Sequence, residues 1–186
     1  MKITKRKDPK NPLLVTLSDG RKIIVGRQTK YSTAWLRKHG CPFVSQFEVY
    51  QWLGMGVKNH YPHNLYKYAR KHLRKYIHAT LTIKGLLAEI KHYIKGRAKA
   101  KYYPPNEITA EKVTKFLKAG AMIIITRGKY GIHYYTLVMD KGQIYSLRFK
   151  GCKVKKRSAK FVVNTRSKNK KYGGMIVVTK KKKAKK

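Results

Sequence analysis

The sequence predicts an α+β fold with its helices ahead of an antiparallel sheet, and three observations carry that expectation. From Phe43 to Leu117 apolar residues recur at three- and four-residue steps. From Met122 onward they fall into strand-length blocks separated by glycine-containing turns. A chain of 186 residues with 42% hydrophobic and 11% aromatic content is also long and apolar enough to bury a core, which excludes a disordered polyelectrolyte.

The elements follow in order. Residues 1–12 are basic and polar, and read as a loosely held arm. Leu13 to Leu17 and Lys22 to Val25 flank Ser18-Asp19-Gly20 as a hairpin. Gly26 to Gly40 reads as a polar loop that delivers Cys41 to the start of a helix. There Pro42 suits the first turn, and Phe43, Val44, Phe47, Tyr50 and Leu53 form one stripe. Further helices are expected over Asn64–Lys75, Thr82–Lys95 and, capped by Thr109, up to Ala119-Gly120. Strands are expected at Met122–Thr126, Ile132–Met139, Gln143–Phe149 and Tyr172–Thr179, and Lys180–Lys186 as a disordered lysine tail.

Charge is the abnormal quantity: 46 Lys and Arg against 7 Asp and Glu leave +39, with a pI near 10.4. Such a surface binds nucleic acid and other polyanions nonspecifically. The bases are spread over nearly every segment rather than gathered on one face, so the charge alone names no specific partner. The N-terminus lacks the apolar core of a signal peptide, and no run is long enough to cross a bilayer. Two cysteines make no disulfide framework, and a cytoplasmic location is expected. His60 and His63 lack a nearby Cys, Asp or Glu and read as solvated loop residues, so neither a metal nor a cofactor is expected.

Cys41 at a helix N-terminus is placed where the macrodipole and the first backbone N–H groups stabilise a thiolate. His133 opens a strand of the downstream sheet, and a cysteine on a helix start with a histidine from an antiparallel sheet is what thiol acyl transfer requires. Cys152, in a basic loop without a helix start, reads as a structural or incidental thiol.

Gly40-Cys41-Pro42, Ser45, the helix ending in Leu53-Gly54, the run Leu117 to Ile124 and Gly131-Ile132-His133-Tyr134 together resemble the papain-like bacterial cysteine peptidases related to the double-glycine-leader (bacteriocin-processing) peptidases. The resemblance spans Ser32 to Leu147. It implies a single papain-like domain over residues 1–179, a peptide or protein substrate, and a peptidase with Cys41 as nucleophile and His133 as base. The family usually orients its histidine with an Asp or Asn about fifteen residues later, where this chain has Ser146-Leu147-Arg148. Ser146 or Asn164 are the candidates to accept the imidazole N–H. The family's oxyanion glutamine falls at Trp35, which leaves Gln28, farther upstream, as the candidate donor. The alternative is a catalytically silent papain-like scaffold that holds nucleic acid or another polyanion.

Overall fold

The computed structural model describes residues 1–31, 33–78, 81–128, 133–147, 153–169 and 171–181. Three short strands, β1 (Lys2–Lys5), β2 (Leu13–Thr16) and β3 (Lys22–Val25), pair antiparallel in that order. Helices α1 (Ala34–His39), α2 (Cys41–Trp52), α3 (Pro62–His72) and α4 (Ile83–Tyr93) follow. The remainder alternates: β4 (Ala98–Tyr103), α5 (Ala110–Lys118), β5 (Met122–Arg127), β6 (His133–Asp140), β7 (Gln143–Leu147), β8 (Lys155–Arg157), α6 (Ala159–Thr165) and β9 (Met175–Lys180). The second sheet has the order β4-β9-β5-β6-β7-β8 and is antiparallel throughout. The fold is α+β.

Strand alternation divides this sheet into two faces. Ile124, Tyr134, Val138, Leu147, Ile176 and Val178 share one apolar cluster with α2 and α4. Ile123, Ile125, Tyr135, Leu137, Met175 and Val177 share the other with Val113 and Leu117 of α5 and Val162 of α6. Glycine is needed where α2 is approached most closely. A Cβ on Gly26 would lie 2.8 Å from a Val44 methyl, and one on Gly40 would press into the Leu36 carbonyl.

Helix α2 organises the first face. All twelve of its residues are buried, so the single apolar stripe expected of it is instead a helix enclosed on every side. Phe43 and Phe47 are each fully buried, a contribution of about 2 kcal/mol apiece relative to exposure. Its polar residues are tied down rather than solvated. Gln51 accepts from the Ile24 amide at 2.8 Å and donates to the Ile24 carbonyl at 3.1 Å, which fastens α2 to β3.

Several sequence expectations are corrected. The N-terminal arm is held: Lys2–Lys5 pair with β2, and buried Asn11 donates to Asp8 at 2.7 Å and to Tyr61 at 3.2 Å. The polar loop before Cys41 contains α1, capped by the Thr33 hydroxyl. Strands β4 and β8 and helix α6 are additions, and β9 runs on to Lys180, which pairs with Ala98. Lys181 donates to the Arg97 carbonyl, so the lysine tail does not start at residue 180. Residues 182–186 and Cys152 lie outside the described residues. Among the described residues no helix is long and apolar enough to cross a membrane.

Candidate active site

Cys41 is the first residue of α2 and is 4% exposed, so only an edge of the residue reaches solvent. Gly40, in the bridge conformation (φ −76°, ψ 0°), closes α1 by donating its N–H to the Leu36 carbonyl at 2.8 Å and lets α2 begin at once, with its own carbonyl accepting the first intrahelical bond from Val44 at 3.1 Å. Pro42 carries no N–H. The backbone donors of the first turn are therefore those of Cys41 and Phe43, at the positive end of the helix dipole.

Helix α2 packs on strand β6 in one apolar cluster. Tyr134 lies at its start: burial first, then the neighbouring Cys41, pushes the phenol well above its ordinary pKa. The Tyr134 hydroxyl donates to the Leu81 carbonyl at 3.0 Å, just ahead of α4. Further along, Thr136 donates its hydroxyl to the buried Glu48 carboxylate at 2.5 Å. Helix α2 is thus fastened to β6, and His133, half-buried, is the first residue of that strand. By alternation Tyr134, Thr136 and Val138 turn toward α2, whereas His133 shares its parity with Tyr135 and is paired across the ladder with Arg127.

The other candidate residues separate. Ser146 is paired with Leu137, four residues along β6 from His133, or about 13 Å at about 3.3 Å per residue. Its hydroxyl donates to the Lys155 carbonyl at 3.3 Å. The antiparallel register therefore removes Ser146 as the residue that orients His133. Asn164 is exposed at the end of α6 and lines a cavity with Arg127, the ladder partner of His133, so it lies on the histidine side of the sheet. Gln28 donates its amide to the Arg37 carbonyl at 3.1 Å. This brings it beside α1, ahead of Cys41, with that donor turned to the backbone.

Sequence reasoning overlooked a second buried group beside α2. Glu89 of α4 is fully buried and accepts from Gln46 at 2.8 Å; Gln46 in turn accepts from Tyr50 at 2.9 Å. Burial pushes the Glu89 carboxyl up to about 8, against the lowering effect of Gln46. His60, expected in solvent, is half-buried against Tyr50 and Tyr93, with ring centroids 5.1 and 5.3 Å away. An available signal was that Glu48 and Glu89 stand among apolar neighbours in a chain with seven acids. Among the described residues no three His, Cys, Asp or Glu side chains gather to hold a metal ion.

No family model matches the chain, and no curated protein matches it.

Proposed function

We propose that this chain is a papain-like thiol hydrolase that cleaves peptide bonds, with Cys41 as nucleophile and His133 as its general base. What supports the reading is the packing of α2 on β6, with the Thr136 hydroxyl bonded to Glu48 and the Cys41 thiol at the start of that helix. His133 is the terminal residue of β6 and alternates away from α2, so its ring must turn around the end of the strand to reach the thiol.

In the first half-reaction the imidazole accepts the thiol proton and the sulfur attacks the peptide carbonyl carbon. The developing oxyanion is met by the backbone N–H groups of the first turn of α2. Collapse breaks the C–N bond, the imidazolium gives its proton to the departing amine, and a thioester remains. Water, deprotonated by the same imidazole, then attacks the thioester, releases the acid and restores the thiol.

The test is the pH dependence of Cys41 alkylation by iodoacetamide, in a Cys152→Ser background with and without His133→Ala. An activated pair reacts well below the ordinary thiol pKa of about 8.5 and loses that reactivity with His133. An ordinary thiol profile in both proteins overturns the assignment.

A further inference from the structure

At the end of the sheet where β4 and β5 finish and β9 begins, two cavities of about 530 and 540 Å³ share Arg166 and Lys168 in their linings. The first is otherwise lined by Tyr102, Pro104, Pro105 and Asn106, an aromatic ring and two proline rings. The second adds Arg127, Asn164, Thr165 and Asn169, and among the described residues no carboxylate lines either cavity. Arg166 and Lys168 thus stand between an aromatic and proline-lined cavity on one side and one that adds Arg127 on the other, and we treat the two as one trough.

The trough is built rather than incidental. Arg166 donates Nε to the Pro105 carbonyl at 2.8 Å and Nη1 to the Val163 carbonyl at 2.6 Å, which holds its guanidinium between the two cavities. Arg127 and Arg166 are joined by a backbone β-bridge, which brings the two chains side by side at the cationic end. The Tyr102 hydroxyl donates to the Gly173 carbonyl at 3.1 Å. A Cβ on Gly173 would overlap the Asn169 and Ser167 carbonyls and one on Gly174 would overlap the Tyr102 ring, so the wall behind Tyr102 has no slack. The nearest acid in sequence, Glu107, stands 3.9 Å from the Lys112 ammonium.

The geometry points to a binding site for a nucleotide unit of single-stranded nucleic acid, with the base against Tyr102 and the prolines and the phosphate between Arg127, Arg166 and Lys168. A diffuse +39 field attracts any polyanion, but it supplies no apolar end; a base joined to a phosphate fills both ends. An acidic peptide offers the charge without the flat apolar group. A preorganised wall reduces the ordering needed on binding.

Binding of a fluorescent single-stranded oligonucleotide of six uridines is measured by anisotropy in about 0.3 M salt, where the diffuse field is screened to a few ångströms. Tyr102→Leu and Lys168→Glu are each expected to weaken binding about tenfold, while Tyr102→Phe and the remote Lys2→Glu stay within about twofold. Thermal unfolding confirms that each variant is folded. UMP should compete with the oligonucleotide and be sensitive to the same two variants if the unit is read as a nucleotide. Equal weakening by Lys2→Glu and Lys168→Glu, or no response to Tyr102→Leu in folded protein, overturns the site in favour of diffuse attraction. Competition by polyglutamate with the same variant pattern overturns it in favour of an acidic peptide.

Discussion

The two faces of the six-stranded sheet treat charge in opposite ways. The face under α2 and α4 encloses two complete carboxyl groups, Glu48 and Glu89, among aromatic and aliphatic side chains. The face under α5 and α6 ends in the trough of Arg127, Arg166 and Lys168. With seven acids in the chain, burying two of them, and Asp140 as a third, withdraws negative charge from the surface and leaves the bases unopposed there. The cationic surface is thus partly a result of where the acids are hidden, as well as of how few there are.

The largest effect that would break this comparison is at Glu48. Replacing it with Ala opens a cavity and strands the buried Thr136 hydroxyl, and chemical denaturation should show a loss of about 4 kcal/mol. Glu89 should behave in the opposite sense. Its carboxyl is neutral in the folded protein up to about pH 8 but ionises near 4.5 when unfolded. The stability tied to that proton is complete below pH 4.5, declines as pH rises and levels off above pH 8. Glu89→Gln should remove this slope and raise stability at pH 8 by about 2 to 3 kcal/mol; an unchanged slope would show that the group ionises normally.

Asp140 sharpens the comparison at the sheet's far turn. Burial pushes its carboxyl up, but bonds from the Met1 ammonium and from the Ser18 hydroxyl and amide outweigh it and hold the pKa to about 2. The associated stability is present above about pH 4 and is lost as pH falls toward 2. Asp140→Asn should cost about 1 to 2 kcal/mol at neutral pH and flatten that acid limb in a pH series of thermal melts. Tyr134→Phe removes one buried bond to Leu81 and should cost about 1 kcal/mol. On the exposed rim of the other face, Asn164→Ala should stay within about 0.5 kcal/mol by the same denaturation assay.

How legible each part was depends on what its residues bury. Helix α5 and strands β5 to β7 carry apolar side chains at the period of their own geometry and were readable. Strand β4 alternates too, but as Ala98-Lys99-Ala100-Lys101, and alanine is too small to signal an inward face. Strand β8 is Lys-Lys-Arg and signals nothing; its pairing comes from β7. Helix α6 contains Phe161-Val162-Val163, residues equally at home in a strand. At the site, Gly40 and Pro42 made the position of Cys41 on a helix start readable. The bond from Thr136 to Glu48 was not, because it is set by which parity of β6 faces α2. The same register carries Ser146 away from His133, which spacing along the chain does not reveal.

Strand β9 follows every other strand of its sheet in sequence, yet it lies between β4 and β5. Until residues 175–180 are in place, β4 and β5 each present an open backbone edge, and β4 has no other strand to join. Assembly of this sheet therefore closes from the middle, late, through a pairing that reaches back more than seventy residues to Tyr103. A nascent chain that has not yet supplied β9 exposes two sticky edges beside an apolar face. Lys99 and Lys101 of β4 put charge on that edge and oppose its pairing with the edge of another copy until β9 arrives.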